Sequence, residues 1–392
     1  MLTAAHRDII KATVPLLEVG GEALTTHFYQ LLFREHPEVR PYFNPAHQAA
    51  GTQPRALANS VLQYARHIDD LAGLGSLPAQ IVNKHASLQV APAHYPVVGK
   101  CLLQAIREVL GAEVATEAVL EAWGAAYQQL ADILVGAEES VYAGTAAAPG
   151  GWRGLRAFRL ARRERESDEI TSFYLTPVDG QPVLRHQAGQ YLGLRLEQGG
   201  QEVRRNYSLS AAADGRSYRI SVKREPGGLV SNFLHEQLAV GDTLYVMPPA
   251  GEFVLQPGDG PLALIGGGVG VTPLLAMLQE AAPSLRQIHF IHASRNPRVH
   301  AFRHEVEQLA ERYPNVRCHF CFEEAVSPGD LDAVGLLNER LLGRWLPQPK
   351  DLDAYFVGPP AFMSAVRKAL RGLGTADERL HWEFFGPTEA LA

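Results

Sequence analysis

The feature that most constrains this chain is a change of apolar period partway along it. Through about residue 143, apolar side chains recur at three- and four-residue spacing in the runs 9–17, 24–33, 97–110 and 114–135, the period of an amphipathic helix. Pro37, Pro41, Pro54, Pro78 and Pro96 punctuate the pattern where helices should start or stop. Between residues 142 and 151, small residues and glycines replace it, as in a domain linker. Short strand-like runs follow at 158–161, 170–177, 190–196, 218–223 and 243–247, separated by turn residues. From Pro261 onward, strands (262–265, 288–293, 316–322, 354–357) alternate with helical stretches (273–280, 302–313, 361–370), the signature of a parallel sheet. A chain of 392 residues is too long for one ordinary core. The three patterns therefore predict a multidomain protein: an all-α domain over 1–143, an antiparallel β-barrel over 152–258 and an α/β parallel-sheet domain over 261–392.

Composition narrows the function classes. With 46% hydrophobic and 20% charged residues, the chain suits a folded soluble enzyme. A formal net charge of -6 and the lack of a basic stripe argue against a nucleic-acid partner. The first ten residues lack the basic start and apolar run of a signal peptide, and no apolar stretch reaches a membrane span. A cytoplasmic address is the resulting expectation. Three cysteines do not make a disulfide framework. Cys318-His319-Phe320-Cys321 superficially resembles a metal or redox pair, but residues three apart in a strand face opposite ways, so structural or incidental cysteines are expected. The mixed-sign cluster Arg162-Arg163-Glu164-Arg165-Glu166 reads as a solvated strand end.

Three segments carry chemistry. Gly266-Gly267-Gly268-Val269-Gly270-Val271-Thr272-Pro273 lies between an apolar strand and a helix start, where backbone amides can meet a pyrophosphate. Gly227-Gly228-Leu229-Val230-Ser231-Asn232 either lets amides approach a phosphate or is a plain turn. Ser294-Arg295-Asn296 follows a strand, and Arg295 could meet a 2′-phosphate or be a solvated loop residue, leaving NADH against NADPH open. His85, by itself, could be a ligand, a core residue or an exposed one.

Several motifs in order resemble the flavohaemoglobins, globins fused to a ferredoxin-reductase-like FAD and NAD module. Lys84-His85-Ala86-Ser87-Leu88-Gln89-Val90 resembles the helix bearing the axial haem histidine, and Tyr29, Phe43, Gln53 and Leu57 match the distal pocket. Tyr95 and Glu138 match the proximal pair; Glu138 lies eleven residues after Tyr127, with adjacent Glu139 as the alternative register. Arg205-Asn206-Tyr207-Ser208, preceded by Gly189-Gln190-Tyr191 and followed by the Gly227-Gly228 segment, resembles the flavin-binding elements. Gly-Val-Gly-x-Thr-Pro at 268–273 is the superfamily's nucleotide loop. Val357-Gly358-Pro359 resembles its Cys-Gly-Pro segment with valine in place of cysteine, and Glu383-Phe384-Phe385-Gly386-Pro387 resembles its ending.

The resemblance implies one haem b on His85, with Phe43 in the haem pocket and Tyr29, Gln53, Leu57, Tyr95 and Glu138 as catalytic residues. It implies one FAD bound through Gln190, Tyr191, Arg205, Asn206, Tyr207, Ser208, Lys223, Gly227, Gly228, Val230, Ser231 and Asn232, with Phe385 covering the flavin ring. NADH or NADPH would bind at Gly267, Gly268, Val269, Gly270, Val271, Thr272, Pro273, Ser294, Arg295, Gly358 and Pro359. The implied activity is nitric oxide dioxygenase, turning NO and O2 into nitrate for NO detoxification. A monomer and a haem pocket open to lipid are also implied. The rival readings are a haem gas sensor or oxygen-binding protein with a maintenance reductase, and an NAD(P)H flavin reductase serving external acceptors.

Overall fold

The computed structural model describes residues 2–324, 332–347 and 351–386; Pro387 of the C-terminal motif lies outside them. The chain forms two compact units, one of the residues through Ala147 with Glu197–Arg204, the other of Ala148–Leu196 and Arg205–Phe385.

The first unit is built from α1 (Ala4–Glu35), α2 (Pro45–Ala49), α3 (Thr52–Arg66), α4 (Leu77–Leu88), α5 (His94–Leu110) and α6 (Glu117–Ala147). The runs 9–17 and 24–33 merge into one helix that continues through Pro15, started by a capping box between Thr3 and His6. Its buried stripe Ile10, Leu17, Leu24, Phe28, Leu31 and Leu32 packs with Leu102, Ala105 and Ile106 of α5 and Trp123 of α6. Each large apolar side chain so buried contributes about 1.5–3 kcal/mol. Residues 142–147, expected as linker, are instead the last turns of α6. The physical reason is the alanine content of that stretch, since alanine is the best helix former; proline and glycine take over only at Pro149-Gly150-Gly151.

Beyond Ala147 the chain forms two sheets. Strands β1 (Arg156–Arg165), β2 (Ile170–Pro177), β3 (Tyr191–Gln198), β4 (Gln201–Ser208), β5 (Tyr218–Lys223) and β6 (Thr243–Val246) order as β4-β3-β6-β1-β2-β5, with α7 (Leu229–Glu236) between β5 and β6. The pairings of β1 with β2 and β6, of β2 with β5 and of β3 with β6 are antiparallel. The far end of β1 is exposed, as its mixed charges suggested. β4 was not expected as a strand, because Gln201-Glu202-Val203-Arg204-Arg205 has no apolar alternation to reveal it.

The other sheet orders β10-β9-β8-β7-β11-β12, from β7 (Leu262–Gly267), β8 (Ile288–Ser294), β9 (Val316–Phe322), β10 (Ala333–Val334), β11 (Asp353–Val357) and β12 (Leu380–Trp382), all parallel. Helices α8 (Val271–Ala281), α9 (Arg303–Arg312), α10 (Glu339–Trp345) and α11 (Pro360–Gly372) connect the strands. Strand order reverses between β7 and β11, the point where open α/β sheets bind ligands. Cys318 packs in the core on one face of the sheet and Cys321 in the core on the other, and both thiols are free. The two sheets are joined by Arg219 of β5, whose buried guanidinium donates to both Glu305 oxygens on α9 at 3.0 and 3.1 Å.

Candidate functional site

In the helical unit, His85 stands one turn before the end of α4, which stops where Gln89 turns left-handed (φ 56°). Its Nδ1 lies 2.7 Å from Glu138 Oε1 and 3.1 Å from the Tyr95 hydroxyl, and Tyr95 donates to the same Glu138 oxygen at 2.5 Å. Glu138 is 1% exposed, whereas Glu139 faces solvent, so the register is the one that brings Glu138 to His85. A carboxylate at Nδ1 calls for a proton there and leaves Nε2 with its lone pair outward. That is the atom a haem iron takes from a globin histidine. The site therefore fits the group. Burial, reinforced by Glu138, pushes the Tyr95 phenol well above its usual range, so its hydroxyl stays a donor.

Two further tyrosines position this cluster. Tyr127 donates to the Tyr95 carbonyl at 2.7 Å, and its ring fills the space a side chain at Gly99 would need, a Cβ there falling 2.5 Å from the ring. Tyr142 donates to Val90 O at 2.9 Å, fixing the turn after α4. Neither was singled out as a site residue, because a tyrosine with helical spacing reads as core until its hydroxyl partner is known.

Tyr29 of α1 is 5% exposed and bonds the side chain of Gln53 on α3. Burial pushes its phenol upward, keeping the proton available for donation. Phe43 meets its ring edge-on at 5.5 Å and Phe33 stacks at 5.7 Å. Leu57 is partly buried against the same core. The structure thus brings Gln53 and Phe43 into direct contact with Tyr29 and sets Leu57 against the same core.

In the second unit, Arg205, Tyr207 and Ser208 lie on the last half of β4. Burial lowers the Arg205 pKa and raises that of Tyr207. Gln190 steadies its own loop, accepting from Gln187 N at 3.0 Å, while the Tyr191 ring occupies the space beside Gly251. Gly227 has φ 72°, and α7 begins after Gly228 without a side-chain cap, leaving first-turn amides for an anion. Val230 is buried and Ser231 accepts from Glu225 N at 3.2 Å. Asn232 instead donates to Gly228 O at 2.7 Å and Glu225 O at 3.1 Å, and Lys223 pairs with Glu225 at 2.9 Å, so these two shape the loop. Phe385 is 50% exposed, which rules out core packing as its explanation.

The glycine loop sits at the switch point. Gly268 has φ 55°, and α8 starts at Val271 without a side-chain cap. A Cβ on Gly270 would fall 2.2 Å from Val357 O, and one on Gly358 would fall 2.5 Å from the Phe362 ring. Only glycine lets the loop and the Val357-Gly358-Pro359 segment meet. Val357 is buried, and valine there is compatible with this packing. Thr272 Oγ1 donates to Val269 O at 3.0 Å, bracing the loop, and Pro273 is buried at the start of α8. Ser294 is buried at the end of β8, and Arg295 pairs with Glu169. Sequence reasoning missed His292, which is buried beneath the loop and bonds Gly268 O at 3.1 Å through Nε2; nothing in an apolar strand sequence announces such a role.

Three family models match the chain in order. Residues 26–134 match the globin family, 157–255 the oxidoreductase FAD-binding domain and 264–368 the oxidoreductase NAD-binding domain. The cofactor set is accordingly haem, FAD and a nicotinamide nucleotide, in an oxidoreductase. The chain is 62% identical to the flavohemoprotein of Pseudomonas putida and 63% identical to that of Pseudomonas aeruginosa, covering 100% of both chains in each case. The chain belongs to the flavohaemoprotein family. Among solved structures it is similar to a Malassezia yamatoensis flavohemoglobin with bound FAD and heme, at TM-score 0.88 and 28% identity over 98% of this chain and 100% of that one. It is also similar to the FAD/NAD-binding domain of nitric oxide dioxygenase from Vibrio cholerae, at TM-score 0.56 and 36% identity over 59% of this chain and 99% of that one. Among the described residues no helix is long and apolar enough to cross a membrane.

Proposed function

We propose that this flavohaemoprotein is a nitric oxide dioxygenase that consumes two NO, two O2 and one NADH to yield two nitrates, NAD+ and a proton, and so removes NO. The observation that carries the reading is the contact of buried Glu138 with His85 Nδ1 at 2.7 Å. A carboxylate holding that proton makes the imidazole more electron-rich, which suits oxygen activation better than reversible storage. Haem held by His85 would supply an iron centre for dioxygen, and FAD would supply the chemistry that converts a two-electron hydride donor into a one-electron one.

The chain's own residues do the rest. His85 presents Nε2, with Tyr95 and Glu138 fixing ring and tautomer. Tyr29 holds a proton at its hydroxyl for hydrogen bonding to oxygen, Gln53 orients that hydroxyl, and Phe43 and Leu57 exclude water. Arg205 and the amides after Gly227 and Gly228 would hold the flavin pyrophosphate, and Tyr207, Ser208 and Phe385 would hold its ring. Gly267, Gly268, Val269, Gly270 and the first turn of α8, with Gly358 and Pro359, would hold the nicotinamide nucleotide. NADH is favoured over NADPH because Arg295 already pairs with Glu169, with Glu323 and Glu324 adding negative charge around it. An added phosphate there would meet acids.

The test is NADH oxidation in aerobic buffer with and without NO, with nitrate measured. Nitrate formed at two per NADH supports the reading. Tight oxygen binding without NO-dependent turnover would point to a sensor or store, and undiminished reduction of external acceptors without nitrate would point to a flavin reductase.

A further inference from the structure

A second cluster of ligand-type side chains lies away from His85, where α1 meets α5. Glu35 is the last residue of α1, His36 caps it, and Cys101 comes from α5. One ligand atom from each falls within 4.8 Å of the others. Cys101 is fully buried, while the side chains of Glu35 and His36 are 27% and 23% exposed, which gives the cluster a route to solvent.

The histidine is the informative member. Its Nδ1 lies 3.1 Å from Glu38 Oε1, whereas Nε2 is buried and has no hydrogen-bond partner among the described residues. A carboxylate at Nδ1 sets the tautomer with the proton on that side and turns the Nε2 lone pair inward. This is the carboxylate–histidine arrangement that supports metal ligands. A buried, unpaired acceptor otherwise costs stability. Arg34 and Gln104 reach Glu35 through Oε1, at 3.2 and 3.5 Å, leaving Oε2 for another partner.

We propose that Cys101, His36 and Glu35 form a binding site for a divalent zinc ion. Thiolate, imidazole and carboxylate are its common protein ligands, and three of them with one water complete a tetrahedron. On binding, the Cys101 thiol gives its proton to solvent, and sulfur, Nε2 and a carboxylate oxygen each donate an electron pair. Thiolate and carboxylate together balance the charge of the ion. Zinc here would tie the end of α1, and with it the 3-10 turn Pro37–Tyr42 that leads to Phe43, to α5.

The test uses the full chain loaded with haem and FAD, stripped with chelator and titrated with zinc against a fluorescent zinc indicator. Zinc X-ray absorption should show one sulfur at about 2.3 Å with nitrogen and oxygen neighbours. His36→Gln, Glu35→Gln and Cys101→Ser should each abolish tight binding of that ion, and Glu38→Gln should weaken it by about 10- to 100-fold. Should the buried Cys101→Ser fold poorly, the two partly exposed positions still decide the matter. The double variant Cys318→Ser with Cys321→Ser should bind as the parent does. The proposal is overturned if zinc shows no sulfur neighbour, if His36→Gln and Glu35→Gln bind unchanged, or if binding disappears only in the Cys318 and Cys321 variant.

Discussion

Replacing Glu138 by glutamine keeps the size of the side chain and an oxygen acceptor but removes its charge from a site that is 1% exposed. Two donors converge on Oε1, His85 Nδ1 at 2.7 Å and Tyr95 at 2.5 Å. A hydrogen bond to a charged group contributes about 1.5–3 kcal/mol and a neutral one about 0.5–1.5 kcal/mol, so the His85 bond should lose roughly 1–1.5 kcal/mol. Electron release from the imidazole favours the ferric over the ferrous state. Expressed as a one-electron shift, at about 59 mV per tenfold change, the haem midpoint should rise by about 40–65 mV. Tyr95→Phe should move it the opposite way, because the carboxylate then serves His85 alone. The assay is a spectroelectrochemical titration of the Soret band on both variants, with the iron–histidine stretch recorded by resonance Raman. An unchanged potential in Glu138→Gln, or shifts of the same sign in both variants, would refute the reasoning, since mere loosening of the fold predicts no opposed pair.

Four further outcomes follow from the structure. His85→Ala should lose haem and nitrate production while reduction of artificial dyes by NADH persists; retained nitrate production would remove His85 from its role. Tyr29→Phe should speed oxygen dissociation roughly ten- to a hundredfold, from the ~1.5–3 kcal/mol of a hydrogen bond to a charged acceptor, as measured by stopped-flow. Glu169→Gln should narrow the preference for NADH over NADPH by freeing Arg295, read as the ratio of kcat/KM for the two nucleotides. His300 is 6% exposed, wedged edge-on against Phe320 and Phe322, and held by burial down at about 2. Its folded-state pKa is depressed, so the unfolded chain binds more protons below about 6.5 and stability falls as pH drops from there. His300→Phe should therefore recover about 2 kcal/mol at pH 5 relative to pH 8, measured by urea unfolding; an identical pH slope in both proteins would contradict it.

Much of this molecule was legible in its sequence, because helix and strand periods are local properties of the chain. The alternation from β7 to α11, the glycine loop between an apolar strand and a helix, and the opposite facing of Cys318 and Cys321 all follow from spacing alone. The polar strand β4 did not, since its identity comes from pairing with β3 and not from any pattern of its own. Likewise the alanine-rich end of α6 was hidden by Gly144, Pro149, Gly150 and Gly151, which resemble a linker.

The site divides the same way. Residue types and order pointed to His85, Tyr29 and Gln53, but Glu138 and Glu139 differ in sequence by a single step and in structure by a rotation of about 100° around the helix. Only packing decides which of them is buried against His85. Tertiary structure alone also placed Tyr127 over Gly99, His292 beneath Gly268, Glu169 against Arg295 and Cys101 beside His36. In each case the partners are distant along the chain, and a hydrogen bond or ligand set between such residues has no local signature from which it could be read.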